Sequence, residues 1–158
     1  MKAIGTACAM LMVCLGAYAG DTGPDLQSSM VWLDSAPYGT QVYAVFRKKV
    51  EIPADIKEAS LHIFADSRYM LWINGAYAER GPCRFDPAAP EYDTLDVSGC
   101  LKPGRNVVAL LVHHYHDGQA DDAPEGFCGR IMRHQPGVAV KLEVKCDDGA
   151  AVTVGTDP

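Results

Sequence analysis

The side chains best suited to binding chemistry lie close together, between residues 80 and 94. Two arginines, two aspartates and two aromatic residues occupy a Pro- and Gly-rich stretch where core packing needs none of them: Arg80, Arg84, Phe85, Asp86, Tyr92 and Asp93. Guanidinium and carboxylate groups form paired hydrogen bonds to neighbouring hydroxyls, and an aromatic ring can cover the C–H face of a sugar. The stretch therefore predicts a site for a polar, ring-shaped ligand or a contact with a neighbouring domain.

The same charges also allow a purely structural interpretation of this stretch. Arg80 or Arg84 could pair with Asp86 or Asp93 and hold the proline-rich loop in shape. Tyr92 would then cover one end of the domain. The binding and the structural interpretation both stay open at this point.

Two further clusters could hold a metal ion. In an extended strand His114 and His116 point to the same side, and together with Asp117 they could bind a metal. Histidines at the end of a buried strand more often hydrogen-bond to loop backbone. An acidic loop could hold calcium but lacks the spacing of a calcium-binding loop: Asp117, Asp121, Asp122 and Glu125. We expect no cofactor, with calcium as the open alternative.

Support for catalysis in this chain is thin. Hydrolysis of a glycosidic bond needs two carboxyl groups facing each other across a cleft. Asp86 with Asp93, or Glu79 with Glu91, are available pairs, but nothing in the sequence selects either. We expect no catalytic residue here.

The first 19 residues are typical of a secretory signal peptide. Lys2 supplies the positive end, residues 4–15 are apolar, and Ala17-Tyr18-Ala19 forms the cleavage site. The apolar stretch is too short to be a good membrane span. We predict export to the periplasm or the extracellular space after cleavage behind Ala19, and a single domain over residues 20–158. A lipid anchor at Cys14 is the alternative.

The net charge limits the kinds of partner that the chain can bind. A formal charge of −6 makes the chain a poor candidate for nucleic-acid binding, which needs Lys and Arg to neutralise phosphates. The sequence also contains no basic amphipathic helix of the kind that binds a membrane surface.

Four cysteines remain after the cleavage site: Cys83, Cys100, Cys128 and Cys146. They permit two disulfides in three possible pairings, or unpaired thiols, with Cys146 in phase for burial.

The remaining chain predicts strands and turns almost throughout. Apolar and polar residues alternate over 42–52 and 138–146, which is the period of a half-buried strand. Residues 107–112 are apolar in both phases and predict a central strand buried on both sides. Asn74-Gly75 is the strongest hairpin signal in the chain. Residues 53–58 leave room for one helical turn at most.

Seven or eight short strands at this spacing predict an all-β fold, an antiparallel β-sandwich. The long connections at 79–91 and 116–135 suit a jelly roll with elaborated loops at one end. The chain stops directly after a strand, which we take to indicate a piece of a longer protein.

Several motifs, in their order and spacing, resemble the amino-terminal domain of bacterial α-L-rhamnosidases. They are Phe46-Arg47-Lys48, Arg68-Tyr69, Trp72-Ile73-Asn74-Gly75, Arg80-Gly81-Pro82, Tyr92-Asp93-Thr94, Leu101-Lys102-Pro103-Gly104 and Asn106-Val107-Val108. The resemblance covers roughly residues 30–156. It implies a galactose-binding-like jelly roll in front of a large helical-barrel catalytic domain. Because the acidic catalytic residues of this family lie in that barrel, the resemblance assigns no catalytic residue here.

The resemblance also implies a function for the loop that begins at Arg80. It is similar to the loop that faces either the substrate or a neighbouring domain in this family. We therefore expect an accessory domain that recognises a rhamnose-containing glycan and contacts the catalytic domain of an exported glycoside hydrolase. A purely structural module, or a stand-alone exported adhesion protein that binds carbohydrate, are the alternatives.

Overall fold

The structure, a computed structural model, describes residues 24–34, 41–83, 91–114 and 136–157. The predicted signal peptide lies outside the described residues. So do the predicted binding residues Arg84, Phe85 and Asp86, and the whole acidic loop proposed for calcium. The two ends of the first predicted loop, and the strands that carry them, are described.

Eight strands occur in the described residues. They are β1 (Val42–Ile52), β2 (Ile56–Asp66), β3 (Arg68–Ile73), β4 (Ala76–Gly81), β5 (Asp93–Asp96), β6 (Gly104–His114), β7 (Gly137–Cys146) and β8 (Ala151–Gly155). Two short 3₁₀ helices, Gln27–Ser29 and Ser98–Cys100, are the helical segments of the described chain.

The strands form two four-stranded antiparallel sheets. Sheet 1 has the order β1-β6-β3-β4, and sheet 2 has the order β5-β2-β7-β8. Sheet 1 is joined by the pairs β1/β6, β6/β3 and β3/β4, and sheet 2 by β5/β2, β2/β7 and β7/β8. The predicted antiparallel β-sandwich is confirmed.

The core lies between the two sheets and follows the alternation seen in the sequence. Leu61 and Ile63 of β2 and Val144 of β7 turn inward and are almost completely buried. Leu71 and Val112 of sheet 1 meet them from the other side. Burying aliphatic side chains between two sheets is the main favourable term in such a fold.

The turns have the geometry that their residues predict. Asn74 and Gly75 both have positive φ, 52° and 85°, as a type I′ hairpin turn requires. Gly104 has φ of 81° after Pro103, so glycine is needed there as well.

One sequence prediction needs correction. Strand β6 is central, but only one of its faces is buried; the outward residues Val107, Ala109 and Leu111 are half-buried. The reason is that no described layer packs over that face of sheet 1. Residues 53–58 form no helical turn, which agrees with the expectation of one turn at most, because Ile56 already pairs with Cys146 at the start of β2.

The described cysteines are free thiols. Cys146 is buried, as predicted, whereas Cys83 and Cys100 are exposed. Cys128 lies outside the described residues, so the disulfide question at that position stays a prediction. None of the helices in the described part of the chain has the length and apolar content that crossing a membrane requires.

Candidate functional site

Asp93, the first residue of β5, joins the two sheets at one end of the sandwich. The Tyr69 hydroxyl of β3 donates a hydrogen bond to Asp93 Oδ2 at 2.7 Å. The backbone N–H of Cys83 donates to Asp93 Oδ1 at 3.3 Å. Gly81, the last residue of β4, lies so close that a Cβ there would overlap the Asp93 carboxylate and the Tyr69 ring. Asp93 therefore holds the ends of β3, β4 and β5 together.

The electrostatics agree with this bracing role of Asp93. Burial, and then the hydrogen bond to Asp93, raise the pKa of the Tyr69 phenol. The negative charge of Asp93 likewise raises the pKa of the exposed Cys83 thiol. Both side chains stay protonated at neutral pH, and the Tyr69 hydroxyl and the Cys83 backbone N–H donate hydrogen bonds to the carboxylate. Of the two interpretations left open for Asp93, this geometry favours the structural one.

Tyr92 and Thr94, on either side of Asp93, contact the outer face of sheet 2 instead. Thr94 is paired with His62 of β2, and His62 Nδ1 lies 3.0 Å from Thr94 Oγ1. The Tyr92 ring meets the His62 ring edge to face at 5.7 Å between centroids. Successive residues of a strand point to opposite faces, so Asp93 can brace the interior while its neighbours face outward.

Two charged residues of β7 complete this group. Glu143 Oε2 lies 3.4 Å from His62 Nε2, and Lys141 Nζ lies 2.7 Å from Glu143 Oε1. The hydrogen bond from Lys141 is the main reason why the pKa of Glu143 lies below its ordinary value. We call the group His62, Tyr92, Thr94, Lys141 and Glu143 the Tyr92 cluster. It combines an exposed aromatic ring with an ionised carboxylate, an amine and a hydroxyl on one face of a sheet.

Arg80 is placed differently from the sequence prediction. It is not in a loop but in β4, opposite Met70 of β3. Its side chain is exposed on sheet 1, whereas Tyr92 packs against sheet 2. The described members of the predicted set, Arg80, Tyr92 and Asp93, are therefore divided between the two sheets. Strand β4 extends to Gly81 because its backbone still pairs with Tyr69.

Sequence reasoning missed three members of the Tyr92 cluster: His62, Lys141 and Glu143. Their only signal is that they are the polar, outward-facing positions in strands β2 and β7. Periodicity predicts which face they occupy, but not which strand lies beside them. His62 and Lys141 are neighbours only because β2 pairs with β7, and these strands are far apart in the sequence.

Of the second predicted cluster, at the end of β6, His116 and Asp117 lie outside the described residues, so a metal site there stays a prediction. The His113 ring stacks on Tyr43 at 4.0 Å with an angle of 7° between the planes. His114 is buried on the other face, where it contacts the edge of Trp32 and lies 3.9 Å from Asp66. Burial, and then the charge of Arg68, lower the pKa of His113. Where the chain is described, no three His, Cys, Asp or Glu side chains come together as metal ligands.

The opposite end of the sandwich contains three of the resemblance motifs, those around Asn74, Lys102 and Asn106. The buried Asn106 side chain donates to the carbonyls of Lys102 and Gly104 at 2.6 and 3.0 Å. Its oxygen accepts from the Lys102 N–H at 3.0 Å and from Asn74 Nδ2 at 2.9 Å. Asn74 also accepts from the Val107 N–H at 3.0 Å. These asparagines lock the β3–β4 hairpin to the turn before β6, so their role is structural.

The sheet order and the antiparallel registers are those of a galactose-binding-like β-sandwich. No family model matches the chain, and no curated protein matches its sequence. Solved structures do match. A GH78 family rhamnosidase of Bacillus sp. GL1 is 31% identical over 85% of this chain, with a TM-score of 0.64. The α-L-rhamnosidase of Streptomyces avermitilis, complexed with L-rhamnose, is 21% identical over 85%, with a TM-score of 0.59.

A lectin from Pleurotus ostreatus, in complex with GalNAc, is 25% identical over 84% of the chain, with a TM-score of 0.54. The chain spans 13% and 12% of the two rhamnosidase chains and 34% of the lectin chain. The resemblance to α-L-rhamnosidases is thus confirmed, and the similarity is to a single domain of these much longer proteins.

Proposed function

We propose that this chain is a carbohydrate-recognition domain of an exported α-L-rhamnosidase-type glycoside hydrolase and contributes no catalytic residue itself. The similarity to one domain of a GH78 rhamnosidase supports the parent class. The similarity to a lectin solved with GalNAc supports sugar recognition by this type of sandwich. The single observation that supports the location is the exposed Tyr92 ring packed against His62, whose other side lies 3.4 Å from the ionised Glu143.

The Tyr92 cluster has the chemistry that a monosaccharide needs. The carboxylate of Glu143 accepts hydrogen bonds from sugar hydroxyls, and Lys141 and Thr94 donate them. The ring of Tyr92 offers an apolar surface to the C–H groups of the sugar. Because each new hydrogen bond replaces one to water, its net value is only about 0.5–1.5 kcal/mol. We therefore expect weak, millimolar-range binding of the kind that positions a substrate.

Titration of the chain with L-rhamnose, followed by NMR, tests this proposal. We expect saturable binding by the wild-type chain and at least about a fivefold loss of affinity in Tyr92→Ala, as loss of one aromatic contact implies. Tyr77→Ala is the matched control, because Tyr77 is also an exposed tyrosine but lies on sheet 1. Absence of any saturable shift contradicts the function, and loss in Tyr77→Ala alone contradicts the location.

Two further measurements address the parent protein. The coding sequence after Pro158 is expected to continue through a large catalytic domain, and the chain alone is expected not to hydrolyse p-nitrophenyl-α-L-rhamnoside. For export, amino-terminal sequencing of the secreted protein is expected to begin at Gly20. Hydrolysis by the purified chain would contradict the accessory role, and a stop codon after Pro158 would favour a stand-alone binding protein.

A further inference from the structure

The outer face of sheet 1 exposes an unusual amount of apolar surface. Seven large apolar or aromatic side chains are exposed in the described residues, and four of them lie on this face: Tyr43, Val45, Met70 and Tyr77. Val45 is 71% exposed and Tyr43 is 65% exposed. Single exposed apolar residues are normal, but a contiguous group of them marks an interaction site.

The strand registers show that these side chains are contiguous. Val45 of β1, Leu111 of β6 and Met70 of β3 lie side by side across three strands. On one side of this row, Tyr43 stacks on His113. The Trp72 and Tyr77 rings, 6.0 Å apart, lie on the other side. The result is one apolar surface that crosses all four strands of the sheet.

Cationic side chains surround this surface. Its outward positions include five exposed cations, Arg47, Lys49, Arg68, Arg80 and Arg105, and one exposed carboxylate, Glu51, among the described residues. The chain as a whole has a formal charge of −6. The face is thus strongly basic on an acidic protein, and its electrostatic complement is an acidic surface.

The charge and the size of the face narrow the possible occupants. A symmetric dimer would place this basic face against a copy of itself, which like-charge repulsion opposes. The aliphatic row of Val45, Leu111 and Met70 offers no hydrogen-bonding group to sugar hydroxyls, whereas Arg, Met, Tyr and Trp are typical of protein interfaces.

The size of the face also limits the occupant. Outward positions from Tyr43 to Glu51 span about 26 Å, and four strands span about 14 Å, which gives an area of roughly 400 Å² on this side. Such an area suits contacts between domains of one chain better than a stable complex of separate proteins.

We propose that the outer face of sheet 1 is a docking surface for an acidic surface on another domain of the same longer protein. The apolar row forms the centre of the contact, and the five cations pair with carboxylates around it. This inference rests on the proposed function in one respect, namely that the chain is one domain of a longer protein. It does not depend on sugar binding at the Tyr92 cluster, which lies on the other sheet.

Oxidative footprinting of two methionines tests the proposal. Met70 lies on the face and is 38% exposed, whereas Met30 lies outside it and is 37% exposed. Hydroxyl-radical oxidation is compared between the chain ending at Pro158 and the full-length product of the gene. We expect Met70 to be oxidised at least about tenfold more slowly in the full-length protein, as burial at an interface implies, while Met30 is unchanged. In the full-length protein, V45D combined with R47E should restore the oxidation rate of Met70.

Each other outcome overturns the proposal. An unchanged Met70 rate, or a gene that ends at Pro158, excludes docking to a further domain. Protection of Met70 that depends on the concentration of the isolated chain would identify a second copy as the occupant. Protection by added polygalacturonate would identify an acidic polysaccharide. A large fall in the melting temperature of the isolated chain on V45D would show that the chain itself covers the face. Rhamnose binding, which Tyr92→Ala is expected to weaken, should be unchanged by V45D and R47E, so the two proposals fail separately.

Discussion

Asn106 and Asp93 lie at opposite ends of the sandwich, and each holds strands of the fold together. Asn106 is completely buried, and its side chain makes four hydrogen bonds to the main chain and to Asn74. Asp93 accepts hydrogen bonds from the buried Tyr69 hydroxyl and from the backbone N–H of the exposed Cys83, but its neighbours Tyr92 and Thr94 turn outward. One end is therefore purely structural, whereas the other end positions a candidate binding surface. Recognisable motifs therefore do not by themselves mark the functional end of the sandwich.

Replacing Asn106 should have the largest effect on stability. Asn106→Ala removes four hydrogen bonds and leaves buried carbonyl and N–H groups unsatisfied, which we expect to cost about 3 kcal/mol. Urea denaturation measures the loss. The exposed Thr153→Ala of β8 is the control, with an effect near zero. A loss of unfolding free energy below about 1 kcal/mol would contradict the structural role of Asn106.

Gly81→Ala, at the other end of the sandwich, should have the second-largest effect on stability. The new methyl group would overlap the Asp93 carboxylate and the Tyr69 ring, and such overpacking costs about 1–3 kcal/mol. Because Asp93 is displaced, rhamnose binding at Tyr92 should weaken as well. Gly99→Ala is a matched control, because nothing lies within 4 Å of a Cβ at that position. Equal stability of the two variants would contradict the close contact at Asp93.

Tyr69→Phe should lower stability by about 1 kcal/mol at neutral pH, through loss of the hydrogen bond to Asp93. The pKa of Tyr69 is raised in the folded protein, so its contribution is fully present below the ordinary tyrosine value of about 10. It is lost as the pH rises above that value, where the unfolded chain ionises first. Thermal unfolding from pH 8 to 11 should show a steeper decline for the wild type than for Tyr69→Phe. Parallel curves would contradict the burial of this phenol.

Glu143→Gln should have the smallest effect on stability, below about 0.5 kcal/mol, because Glu143 is a partly exposed surface residue. It removes the ionised acceptor from the Tyr92 cluster, and rhamnose affinity should fall severalfold. Glu58→Gln, which removes a comparable ion pair with Lys145 on the same sheet, is the control. Equal affinity of both variants would exclude Glu143 from the binding surface.

Much of the fold could be predicted from the sequence because its signals are local. Alternation placed β1 and β7, and Asn74-Gly75 placed the hairpin. The half-exposed outer side of β6 could not be predicted, since an apolar residue beside solvent has the same sequence pattern as one beside a second layer. The outward apolar residues of β6 indicate an exposed apolar face only when the strands on either side of β6 are known.

The candidate site was predicted only in part, for a similar reason. Tyr92 was identified from its residue type and its place in a Pro- and Gly-rich stretch. Arg80 was assigned to the same surface because both flank one loop, but strand pairing places it on the other sheet. His62 and Glu143 are 81 residues apart and meet only through the β2/β7 pairing, as their numbers show. No local pattern contains that contact.

The most direct test of the central claim is a map of the backbone amides that shift when L-rhamnose is added to the isotope-labelled chain. We expect the largest shifts at Tyr92, Thr94, His62 and Glu143, while the amides around Asn74 and Asn106 stay unchanged. Shifts centred on Asn106, or no saturable shift anywhere, would contradict the assignment of carbohydrate recognition to the Asp93 end of the sandwich.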